Sequence, residues 1–79
     1  MSAEIRKINE FFRNARKSEV DKILSDIIFT DRQNEIFIKF YIKKNDINFI
    51  ADSLSTSSDT VNKELRKIRM KLIPVLLAL

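Results

Sequence analysis

Asn62, Lys63 and Arg66 stand close together in an amphipathic run, and each carries groups that match the edges of base pairs. An asparagine amide pairs with N6 and N7 of adenine, and a lysine or arginine donates to O6 and N7 of guanine. Each such pair discriminates against the wrong base by roughly 1–3 kcal/mol. Lys67, Arg69 and Lys71 flank them, cations of the kind that neutralise phosphates. Asp59 has two readings: it accepts from N4 of cytosine, or it favours a helix N-terminus through the dipole.

Other chemistry is poorly provided for. The chain of 79 residues has no cysteine and no histidine. Disulfides, thiolates, the usual zinc sites and Ser-His or Cys-His nucleophile pairs are therefore excluded. Carboxylate pairs such as Asp21 with Asp26, or Asp46 with Asp52, have no nucleophile, metal-ligand set or phosphate loop near them in sequence. The expectation is a protein that is not an enzyme and holds no cofactor or metal.

Charge points the same way. Fifteen basic and eleven acidic residues leave a formal net charge of +4. Most of that excess falls in residues 58–72, where five cations face only Asp59 and Glu64. A local basic stripe suits a polyanion better than a diffuse excess does. The start Met-Ser-Ala-Glu-Ile-Arg-Lys is no signal peptide, and the apolar run 72–79 is too short to span a bilayer. A soluble, cytoplasmic protein with no membrane partner is expected.

The elements that must position these residues read as helices. Glycine is absent, Pro74 is the only proline, and the β-branched residues fall at helical spacing. The fold class expected is all-α, a small four- or five-helix domain containing a helix-turn-helix. It is one domain over 1–79, with an N-terminal helical segment (1–28), a central part (29–73) and an apolar tail (74–79). Ser2 is the cap expected for a first helix with the stripe Ile5, Ile8, Phe12, Ala15. Ser18 with Asp21 resembles a capping box opening a second segment with Val20, Ile23, Leu24, Ile27 and Ile28 inward. The pattern leaves open whether these are two helices or one bent helix.

Thr30 is the cap expected for a helix with Ile36, Phe37, Phe40 and Tyr41 inward, closed by Asn45. Lys43 and Lys44 complement its dipole or touch DNA. Asp46 caps a short helix burying Ile47, Ile50, Ala51 and Leu54. After the turn Ser55-Thr56-Ser57, a helix over about 58–73 turns Val61, Leu65, Ile68 and Leu72 to the core. Asp59, Asn62, Lys63, Arg66 and Met70 then fall on its outward arc.

Thr30-Asp-Arg-Gln-Asn-Glu-Ile, Ile50-Ala51-x-x-Leu54, Ser57-x-x-Thr60-Val61, Leu65-x-x-Ile68 and Lys71-Leu72 together resemble the tetrahelical helix-turn-helix of sigma-factor region 4 and LuxR-type regulators. The resemblance covers about residues 29–73. It implies that Asn62, Lys63 and Arg66 read bases, that Ser58, Asp59 and Thr60 lie near the DNA backbone or flanking bases, and that Arg32 touches phosphate. Arg32 has an alternative partner in Glu35. Two positions depart from the pattern: Ser55 stands where many relatives have glycine, and Thr56 where they have an apolar residue.

The function implied is a sequence-specific, duplex-DNA-binding transcriptional regulator, of the size of a phage or plasmid regulator. A homodimer through the apolar C-terminus or the N-terminal helix is expected, unless the C-terminus simply completes the core. The alternative is a protein-binding adapter that mimics or captures sigma-factor region 4 or RNA polymerase, working through the apolar C-terminus and the Phe11–Phe12 face.

Overall fold

A computed structural model describes residues 3–78. Among them the chain is all-α, with five α-helices: α1 (Ala3–Asn14), α2 (Lys17–Ser25), α3 (Asp31–Phe37), α4 (Ile47–Ser53) and α5 (Ser58–Leu77). A π-helical turn, Ile38–Ile42, continues α3. The chain divides into two compact units. One holds the residues up to Ile28 and those from Arg69 onward; the other is Phe29–Ile68. The cap expected at Ser2 lies outside the described residues.

In the first unit, α1 buries Ile8 and Phe12 while Ile5 stays half-buried. Two helices form here, not one bent helix. The second opens two residues earlier than Ser18 and Asp21 suggest. Arg16 holds the extended cap position, and its backbone N–H donates to Glu19 Oε1 at 3.1 Å. Arginine has no acceptor to offer a helix N-terminus, so only the reaching-back half of a capping box is made. Ile23 is buried, but Ile28, expected inward, is 90% exposed. α2 stops at Ser25, so residue 28 no longer follows its periodicity.

The second unit starts with a complete capping box. The Gln33 N–H donates to Thr30 Oγ1 (3.1 Å), and the Thr30 N–H donates to Gln33 Oε1 (3.2 Å). This reciprocal pair explains how the amide of Gln33 tolerates burial. Ile36, Phe37 and Tyr41 are buried, whereas Phe40 is half-buried, its ring edge-on to Tyr41 at 5.0 Å between centroids. The wider π turn explains the partial exposure of Phe40. The Lys43 N–H donates five residues back to Ile38 O at 2.9 Å, so the face drifts from the α-helical register. Lys44, not Asn45, takes the left-handed position (φ 61°), and the Asn45 N–H closes the end on Lys39 O at 2.9 Å.

Asp46 caps α4 through Oδ1, which accepts from the Phe49 N–H at 2.8 Å. Ile50 and Ala51 are buried; Ile47 and Leu54 are half-buried. α5 is longer than its expected end at residue 73 and runs through Pro74 to Leu77. Proline interrupts the ladder at the cost of one hydrogen bond and a clash with the carbonyl four residues back, about 3 kcal/mol in a helix interior. Here Pro74 is exposed, as is Met70, whose carbonyl loses its partner, so water can satisfy that oxygen. Leu72 and Leu76 are both buried at helical spacing, and that burial offsets the cost.

Candidate nucleic-acid interface

The elbow between α4 and α5 is built from backbone hydrogen bonds. The Ser55 N–H donates to Asp52 O at 3.2 Å and the Thr56 N–H to Ala51 O at 2.9 Å. With Ser55 at φ 53°, this is a Schellman stop made without glycine. A residue with a Cβ in that region costs roughly 1–2 kcal/mol. Thr56, at the position where an apolar residue often covers such a stop, is half-buried.

Ser57 then starts α5. Its Oγ accepts from the Thr60 N–H at 3.2 Å and lies 3.0 Å from Thr60 Oγ1. Thr60 is half-buried, and its hydroxyl is engaged with the cap. That makes it a residue that helps to hold the helix start. Ser58 and Asp59 are exposed in the first turn.

Val61, Leu65 and Ile68 are fully buried along one side of α5. Asn62, Lys63 and Arg66 are exposed on the other. At 100° per residue those three span adjacent turns of one arc, so an amide and two cations share a single wet strip. A face anchored this completely holds its opposite side at a fixed rotation about the helix axis, as readout of base edges requires.

The flanking cations differ among themselves. Lys67 is exposed and pairs with Glu64, Nζ to Oε1 at 3.4 Å, one turn away. Such a helical pair is worth only a few tenths of a kcal/mol, so phosphate can displace it. Arg69 is half-buried and already has an interaction within the chain. Lys71 is half-buried too, and its Nζ donates to Ile28 O at 2.8 Å. It ties the end of the α2 segment to α5, a structural duty that the expected phosphate contact left out. No spacing rule in the sequence signals that link, since the partners are 43 residues apart.

Arg32 is exposed in the first turn of α3, and no ion pair joins it to Glu35 among the described residues. Lys43 is exposed after the π turn, and Lys44 has an interaction within the chain. The Phe11–Phe12 face is less available than expected: Phe12 is buried and Phe11 half-buried. Among the described residues no group of three or more metal-ligating side chains comes together. No helix there is long and apolar enough to cross a membrane. Comparison with protein-family models, with curated proteins and with solved structures gave no match for this chain.

Proposed function

We propose that the chain is a cytoplasmic transcriptional regulator that binds duplex DNA sequence-specifically, without catalysis, by laying α5 in the major groove. The reading is of a helix-turn-helix like that of sigma-factor region 4 and LuxR-type regulators, with α4 as the supporting helix. One observation carries it: Asn62, Lys63 and Arg66 are exposed on the side of α5 opposite the fully buried Val61, Leu65 and Ile68. In this reading Asn62, Lys63 and Arg66 contact base edges, with Asp59 beside them. Ser58, Lys67 and Arg32 contact the phosphate backbone and set register. Two copies bind together through the apolar C-terminus or the N-terminal helix, with half-sites about 34 Å apart or at a multiple.

Selection of bound duplexes from a random pool, followed by titration at several salt concentrations, tests the proposal. A consensus should emerge, and log K should fall linearly with log salt with a slope of about −0.9 per phosphate contact. Absence of any enriched sequence would overturn sequence-specific recognition.

A second reading is an adapter that captures RNA polymerase or a sigma factor. The exposure of Phe49, Met70 and Leu77 favours it, since these are large apolar side chains left in water. An apolar protein contact would barely respond to salt. The salt series therefore separates the two readings.

A further inference from the structure

Within the first unit, the start of α1 and the end of α5 enclose a groove of about 250 Å³. Ile8, Ile73 and Leu76 line it, with Leu77 at its edge, and Glu4 and Lys7 stand on its α1 side. Ile8 and Leu76 are buried, yet Leu77 is 59% exposed at the mouth. Glu4 and Lys7 are both exposed, and neither charge is paired among the described residues. The groove thus presents an apolar centre with one free anion and one free cation beside it, three residues apart.

We infer that this groove is the homodimer contact and that its occupant is the same groove of a second copy, with Leu77 of each entering the other. The charges argue for that occupant. In a two-fold contact every pairing occurs twice, residue i on j and j on i. Two α1 helices crossing antiparallel between residues 4 and 7 set Glu4 of each copy against Lys7 of the other. The rim is then satisfied by itself and needs no foreign complement. The exposed Leu77 supplies the apolar insert that the groove would receive. The inference rests on the homodimer in the proposed function and specifies its surface; it does not require DNA.

Sedimentation equilibrium of the full chain without DNA, over a range of protein and salt concentrations, is the test. Helicity by circular dichroism confirms that each variant is folded. The wild type should show a concentration-dependent dimer, and Leu77→Asp, at an exposed position, should weaken it at least tenfold. Glu4→Lys gives a wholly positive rim and Lys7→Glu a wholly negative one, so each should dimerise at least several-fold more weakly than the wild type at low salt. An equimolar mixture of these two variants should recover the association, because the opposite rims now match at both contacts. A wild type that stays monomeric at millimolar concentration would overturn the inference. So would a dimer indifferent to Leu77→Asp, or a mixture that associates no better than its components. None of these readouts depends on whether the chain binds DNA, so failure here and failure of the DNA reading remain distinct.

Discussion

The two halves of α5 carry the same kinds of residue and use them differently. From Ser58 to Ile68 the cations Lys63 and Arg66 stand in water, backed by three fully buried side chains. From Arg69 to Leu77 the cations Arg69 and Lys71 are half-buried, and Lys71 is committed to the Ile28 carbonyl. A count of basic residues treats all of them as one stripe. The contrast teaches that availability to a polyanion depends on whether a cation's donors already have an acceptor inside the chain.

Substitutions along the helix and at its start would break or sharpen that contrast. The largest effect belongs to the buried sides. Leu65→Ala and Leu72→Ala should each cost about 2–5 kcal/mol in urea unfolding, as fully buried leucines do. A loss below about 1 kcal/mol at either position would mean that half of the helix is not anchored by its core. Next come the cations themselves. Arg66→Ala should leave stability unchanged, lower specific affinity by roughly 1–3 kcal/mol and relax one operator position. Lys71→Ala should do the reverse, lowering stability by about 1 kcal/mol while leaving the salt slope of DNA binding unchanged. If Lys71→Ala instead reduces the slope by about one, the lysine serves phosphate after all.

A smaller effect is expected at the elbow. Ser55→Gly relieves the left-handed penalty but adds freedom to the unfolded chain, for a net gain of about 0.5–1 kcal/mol. Calorimetry showing a lower melting temperature would contradict the geometry of the stop. The smallest change is Glu64→Gln, which removes the partner of Lys67. Stability should shift by only a few tenths of a kcal/mol. The freed lysine should steepen the salt dependence of binding slightly.

Much of this was legible from residue types. Thr30, Asp46 and Ser57 are capping residues followed by apolar positions at helical spacing, and each caps where expected. The buried line Val61, Leu65, Ile68, Leu72 follows from the 3.6-residue period alone. The misses share a cause, because they depend on contacts or backbone choices that local pattern does not encode. A glutamate reaching back to Arg16 sets the start of α2, though arginine is no capping side chain. The π turn at Ile38–Ile42 is built from residues that suit an α-helix equally well. α5 passes Pro74 because Leu76 is buried beyond it. The engagement of Lys71 joins residues far apart in sequence.

A chain with no glycine still ends two of its helical segments on left-handed residues, and among the described residues Lys44 and Ser55 take that role. Each sits in a backbone basin that an L-residue with a Cβ leaves willingly. Both segments should therefore open ahead of the helices they terminate. In hydrogen exchange the amides of Asn45 and Thr56 would lose protection first, while those of Leu65 and Ile68 would exchange only with global unfolding.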